Sequence, residues 1–316
     1  MVSLFLPLRK YSPIVLKNIN LSCYRFTPLD HLEEWKAKLK SRCIDLGIKG
    51  LILLATEGIN FSLSGTRPQL DSLLQLIRSI PGLTEISPKE SPGSTQPFQR
   101  LLVKIKKEIV RFGVSGVDPA LHPAPKISPT QLKQWLDDKH PITLLDVRNQ
   151  YEIRMGTFQG AIDPHISNFR DFPQAVHKLD PSLKSQPLVM FCTGGIRCEK
   201  AGAFMEMQGF KNIFQLDGGI LKYFEEAGGA HYQGECFVFD ERVGVDTKLQ
   251  ETDSVLCYNC EMPLLASDLT HPHYTYEKSC HHCFHGKPQG RGNTKATQPS
   301  TPPSLTCLII SSKLVP

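Results

Sequence analysis

"PLVMFCTGGIRCEKAGAFMEMQGF", residues 187–210, runs from an apolar segment through Cys192 and a glycine pair into a helix-like segment closed by Gly209. A short apolar run bounded by turn residues reads as a buried parallel strand, and a trailing glycine as a helix C-cap. The carboxyl end of such a strand is where open α/β folds place their sites. Backbone amides of a turn made by Thr193, Gly194, Gly195 and Ile196 point inward with those of the helix start. They form a nest whose positive potential favours an anion and lowers a thiol pKa. The anion this nest predicts is the Cys192 thiolate. Arg197 adds a fixed positive charge, and the glycines admit a bulky or charged sulfur substituent such as a persulfide.

Two competing readings use the same residues. A free cysteine is often an inert core residue, but strand, glycine loop, arginine and helix together argue for reactivity. A cysteine phosphatase also cradles an anion over a helix N-terminus. The four residues between Cys192 and Arg197 make a tighter nest, suited to a sulfur better than to a phosphate.

Outward from the loop, Ser128 and Pro129 open the helix "PTQLKQWLDDK", and "ITLLDV" and "NIFQLD" read as further buried strands. Residues 128–232 are therefore expected to be an open parallel α/β domain. Before it, residues 113–127 are rich in proline and glycine and read as a linker. Residues 14–112 read as β ("NINLSCYRF"), α, β ("GLILLAT"), β ("INFSLSG"), α ("RPQLDSLLQLIRSI"), β ("RLLVKIKKEIV"), the order of a ferredoxin-like α+β unit. Its first helix is expected to start at Thr27 as N-cap with Pro28 at the first helical position.

The 316 residues allow two domains with their own cores. A formal charge of +5 hints at an anionic partner without requiring one. Ten cysteines, dispersed or in CxxC pairs, indicate a reducing, cytoplasmic setting rather than a disulfide framework. Cys257, Cys260, Cys280 and Cys283 form C-x2-C-x19-C-x2-C, the spacing of a structural zinc site, within a module expected over 233–286. His271, His273, His281, His282 and His285 are substitute ligands or ordinary loop residues. Arg100, Lys104, Lys106 and Lys107 concentrate charge on and after a strand. Such a stripe grips phosphates or is simply a solvated face. Residues 1–13 form a leader without a membrane span, and the absence of acidic residues before Asp30 is compatible with a short organellar address. The Pro/Ser/Thr/Gly-rich residues 287–316 are expected to be disordered.

"LLDVRNQYE" (144–152), "GAI" (160–162), "FCTGGIRCEKA" (191–201) and "LDGGI" (216–220) resemble the markers of a rhodanese-homology domain. The resemblance implies a persulfide-carrying cysteine at Cys192 and aligns Asp146 and Arg148 with the family's strand end. Arg148 and Glu152 are read as a structural ion pair. Cys198 is a candidate to resolve a modified Cys192 by thiol exchange, or a helix-face cysteine turned away.

Taken with "TEGINFSLSG" (56–65), "VKIKKEIV", "GECFVFDERV" (234–243) and the CxxC pairs, the chain resembles the tRNA uridine hydroxylase family over roughly residues 14–285. That resemblance implies an acylphosphatase-like N-terminal domain, tRNA as partner, molecular oxygen as co-substrate and 5-hydroxylation of the wobble uridine. No GxGxxG flavin fingerprint and no two-histidine, one-carboxylate iron set stands in the sequence, so the electron donor is not named by it. The alternatives are a sulfurtransferase using the same loop and a non-catalytic tRNA-binding scaffold. Neither a membrane partner nor an oligomeric state is indicated.

Overall fold

Alternation along the first strand sets the architecture of the N-terminal unit. In β1 (Asn18–Phe26), Ile19, Leu21 and Cys23 enter the first core, which leaves Asn20, Ser22 and Tyr24 on the other face. The computed structural model describes residues 18–93, 96–240 and 242–286. The expected leader 1–13 and tail 287–316 lie outside the described residues.

After β1 come α1 (Leu32–Asp45), β2 (Lys49–Ala55), β3 (Gly58–Gly65), α2 (Arg67–Arg78), β4 (Lys89–Gly93) and β5 (Leu101–Ile105). The sheet order is β4-β1-β3-β2-β5. Pairings are antiparallel except the parallel β2–β5 edge. Leu39 and Cys43 of α1 and Leu70, Leu73, Leu74 and Ile77 of α2 pack on one face of this sheet. Each such side chain contributes roughly 1.5–3 kcal/mol when fully buried. A capping box fixes the start of α2, where Thr66 N donates to Gln69 Oε1 at 2.8 Å.

Two local readings need correction. The first helix starts after His31, not at Thr27. Thr27 N donates to Glu57 O at 2.9 Å and Leu29 N to Thr56 O at 3.0 Å, so tertiary pairing with the hairpin turn overrides the Thr-Pro start signal. The strand β4, "KESPG", is absent from the βαββαβ reading because it is polar and carries no apolar alternation.

The second unit contains β6 (Lys126–Ile127), α3 (Pro129–Asp137), β7 (Thr143–Asp146), α4 (Gln150–Ile153), β8 (Gly156–Phe158), α5 (Phe172–Val176), β9 (Leu188–Phe191), α6 (Ile196–Met207), β10 (Ile213–Leu216) and α7 (Gly219–Ala227). Parallel strands β6-β10-β9-β7 form its sheet. Leu145, Leu188 and Met190 point into a core with α5 and α6. Leu144, Val189 and Phe191 point into the opposite core with α3 and α7. This is why the strands read as unbroken apolar runs: both faces are covered.

The segment read as a linker packs Val114, Val117 and Ala124 against the first of these cores, next to Phe112. On the C-terminal side, β11 (Tyr232–Gly234) pairs with β8, and β12 (Cys236–Phe237) pairs with β13 (Gly244–Val245). Cys236, Val238 and Val245 join the second core of this unit. A last hairpin, β14 (Val255–Leu256) with β15 (Pro263–Leu264), carries the cysteine-rich module.

Candidate active site: a cysteine nest walled by the N-terminal sheet

Cys192 follows β9 directly, and Gly195 is the N-cap of α6 with φ +99, a conformation L side chains rarely adopt. The turn brings Gly195 N to 3.1 Å from Cys192 Sγ, so the amide donates to the sulfur. Carbonyls of the loop are held by the start of α7: Ile220 N donates to Cys192 O at 3.0 Å and Leu221 N to Thr193 O at 3.1 Å. A Cβ on Gly219 would lie 2.4 Å from Cys192 O, so only glycine lets α7 approach this closely.

Burial alone would push the Cys192 thiol up, yet its pKa falls from 9.0 to about 5. The Cys198 S–H, the Arg197 charge and the amides of Arg197 and Gly195 outweigh the desolvation. Cys198, fully buried beside the thiolate, is pushed well up, first by burial and then by its neighbour, and stays a donor. The sulfur is 0 % exposed, so a reactant reaches it only when its surroundings move.

Each residue of the "RCEK" stretch is committed to a different partner. Arg197 makes a buried bidentate pair with Glu152, Nη1–Oε2 2.6 Å and Nη2–Oε1 2.7 Å. Glu152 is desolvated, but the guanidinium holds its pKa below the ordinary value. The expected Arg148–Glu152 pair is therefore wrong. Arg148 turns back to Asp146, Nε–Oδ1 2.9 Å and Nη2–Oδ2 2.6 Å, and also donates to Gly156 O at 2.6 Å. Asp146 further accepts from Thr157 Oγ1 at 2.7 Å, so these two residues brace the end of β7 beside the loop.

Glu199 accepts from Tyr24 Oη at 3.1 Å and from Gln215 Nε2 at 3.0 Å. Lys200, 1 % exposed, is clamped between Glu57 (2.8 Å) and Glu108 (2.7 Å). Two consecutive residues of α6 thus bind the N-terminal unit to the helix that begins at the Cys192 loop. Pairing a buried lysine with two carboxylates removes the penalty of an isolated interior charge.

Lys89 of β4 completes this wall, and the sequence reading missed it. Its ammonium donates to Gly194 O at 2.7 Å and to Gly218 O, joining the cysteine loop to the loop before α7. Burial lowers its pKa to about 8, against the opposing pull of Cys192 and Asp217. Tyr24 lies equally close: a Cβ on Gly195 would sit 2.9 Å from its hydroxyl. Residues more than a hundred positions apart leave no local pattern. The alternation of β1, which turns Tyr24 away from its own core, was the only available signal.

Sγ atoms of Cys257, Cys260, Cys280 and Cys283 all lie within 4.8 Å of one another. Neighbouring sulfurs are 3.8 Å (Cys257–Cys283), 3.6 Å (Cys260–Cys280) and 3.8 Å (Cys280–Cys283) apart. Four ligands at the Zn–S distance of about 2.3 Å in a tetrahedron stand about 3.8 Å apart, so the donor set fits a closed metal site. The cluster contains none of the neighbouring histidines. Arg100, Lys104, Lys106 and Lys107 are exposed, but only Lys104 lies within edge strand β5; Arg100 precedes it and the other two follow.

A cysteine nest at the end of a central parallel strand, closed by the next helix, defines a rhodanese-like protein, here with a second α/β unit built against its cysteine loop. Residues 128–226 match the rhodanese-like domain and residues 19–109 the UPF0176 acylphosphatase-like domain. The chain is 42% identical over 276 residues to the tRNA uridine(34) hydroxylase of Cupriavidus necator, covering 86% of this chain and 98% of that relative. Against the Burkholderia ambifaria protein of the same name it is 42% identical over 274 residues, covering 84% and 96%. The chain belongs to the tRNA uridine(34) hydroxylase family. The rhodanese-like domain of a protein from Anabaena sp. superposes with a TM-score of 0.30 at 23% identity, over 35% of this chain and 79% of that one.

Proposed function

We propose that the protein is a tRNA-modifying oxidoreductase that hydroxylates C5 of the uridine at position 34, with Cys192 as the reacting group. The observation that carries this reading is the match to hydroxylases along nearly their whole length, 98% for the Cupriavidus relative, with the Cys192 nest intact. One atom of dioxygen enters the C5–H bond as hydroxyl. The other leaves as water, with two electrons and two protons from a donor.

In this mechanism the Cys192 thiolate gives an electron pair to C6 of uracil, and the C5=C6 electrons move toward C5 and the adjoining carbonyl. C5 is then rich enough to take the oxygen atom. Loss of its proton and expulsion of the thiolate restore the ring. The loop amides and Arg197 hold the sulfur as an anion before addition and after expulsion. Arg100, Lys104, Lys106 and Lys107 contribute phosphate contacts, and the thiolates of Cys257, Cys260, Cys280 and Cys283 would hold a zinc ion as scaffolding, leaving no open position for catalysis. A cytoplasmic setting fits a tRNA substrate and the dispersed free cysteines. Among the described residues no helix is long and apolar enough to cross a membrane.

Purified protein supplied with unmodified tRNA under isotope-labelled dioxygen, followed by mass spectrometry of the wobble nucleoside, tests this. Label at C5, absent with Cys192→Ser, is expected. Sulfur in the nucleoside instead would establish the sulfurtransferase alternative, and tRNA binding without product the scaffold reading.

A further inference from the structure

Asn20 stands on the face of β1 that points away from its own core, and it is 6% exposed. Neither its Nδ2 nor its Oδ1 has a hydrogen-bond partner, and Oγ of the fully buried Ser64, directly opposite on β3, has none either. Buried polar atoms are almost always paired in folded proteins. Three together in one place mark a position that awaits a partner.

That partner has room. Asn20 lines a cleft, partly open to solvent, between the N-terminal sheet and the rhodanese unit. Ser22, Ser91 and Phe98 lie on the same side, with Lys222 and Arg242 among the residues opposite. The cleft's charges are largely spent: Lys222 pairs with Asp217 and Glu226, Arg242 with Asp240, and Glu90 with Arg67. Glu225 adds a further acid, and the Lys89 ammonium is turned to the carbonyls of the cysteine loop. What the cleft offers is a carboxamide, hydroxyls and an aromatic surface. Those groups suit an uncharged planar group with a donor and an acceptor side by side.

We propose that this cleft is a nucleobase pocket, in which the Asn20 amide reads the hydrogen-bonding edge of an unstacked base neighbouring uridine 34 in the anticodon loop. The proposal rests on the tRNA reading above. Asparagine pairs with a base edge through its donor and acceptor together, and single-stranded RNA loops are recognised by splaying bases out and stacking them on aromatic rings. Since Lys89 lines the cleft and also holds Gly194 O, a base seated there would be anchored one side chain away from the reactive loop.

The test uses the full chain and an anticodon stem-loop RNA. Asn20→Leu removes the unpaired amide while keeping its size, so it should raise the melting temperature by about 2 °C or more. It should also weaken RNA affinity about tenfold or more. Asn20→Asp, which keeps the shape and removes the donor, should weaken binding similarly. Alkylation of Cys192 should proceed as in the parent. Unchanged RNA affinity in both variants would overturn the proposal, as would a fall in melting temperature of both, which would make the amide structural. A parent chain that hydroxylates tRNA while the variants bind normally sinks the pocket alone. A parent that does not bind the stem-loop sinks the tRNA reading with it.

Discussion

Removal of one hydrogen, the Cys198 S–H, should be readable in the acidity of Cys192. The Cys192 pKa stands at about 5 against 9.0 for an ordinary thiol, a difference of four units. That gap corresponds to about 5 kcal/mol in favour of the thiolate. It is what remains after burial, the largest contribution, has pushed the other way. The first of the lowering contributions is the Cys198 hydrogen bond, ahead of the Arg197 charge and the two loop amides. A hydrogen bond to a charged acceptor is worth about 1.5–3 kcal/mol, or one to two pKa units. Cys198→Ala should therefore bring Cys192 to about pH 6–7, whereas Cys198→Ser keeps an O–H donor and should stay near the parent. The assay is the pH dependence of iodoacetamide alkylation at Cys192, followed by mass spectrometry of its peptide so that the other thiols do not interfere. An unchanged inflection in the alanine variant, or a serine variant shifted as far as alanine, would refute the reasoning.

Because the folded pKa of Cys192 is depressed, its ionisation stabilises the native state fully above about pH 9 and not at all below about pH 5. Stability should rise across that window by up to about 1.4 kcal/mol per pH unit, and denaturant titrations of Cys192→Ser should show a flatter profile. Glu152→Gln leaves the Arg197 guanidinium buried without its counter-charge, and the expected loss is about 3–5 kcal/mol in unfolding free energy. A loss below about 1 kcal/mol would mean that water or another group takes over. Elemental analysis should find one zinc per chain, lost in Cys280→Ser, with local melting of the β14–β15 module followed by amide exchange. Full zinc retention in that variant would show that the four thiols are not the site.

Much of the architecture was legible because local pattern and tertiary environment agree. The span of β1, the amphipathic repeat of α2 and the doubly buried strands β7, β9 and β10 all follow from apolar spacing. The cysteine spacing likewise announces a cluster, because the two CxxC pairs deliver their four thiols to one place. Elsewhere a long-range partner wins. Thr27 and Leu29 pair with the hairpin turn instead of starting a helix, and β4 exists only as an edge laid on β1. Charge pairing within 146–152 was misjudged because Asp146 and Glu152 both lie within reach of Arg148, and only the position of Arg197 across the fold divides them. The contacts of Tyr24 and Lys89 with the loop belong to the same category.

Lys89 has a consequence for how the two units can be exchanged. The carbonyls of Gly194 and Gly218 accept from a lysine encoded over a hundred residues earlier. A graft of residues 128–226 onto another scaffold would carry the sulfur and its arginine yet leave two inward carbonyls and the Glu199 carboxylate facing water. By this geometry the N-terminal sheet is part of what holds the Cys192 loop and the start of its helix in place.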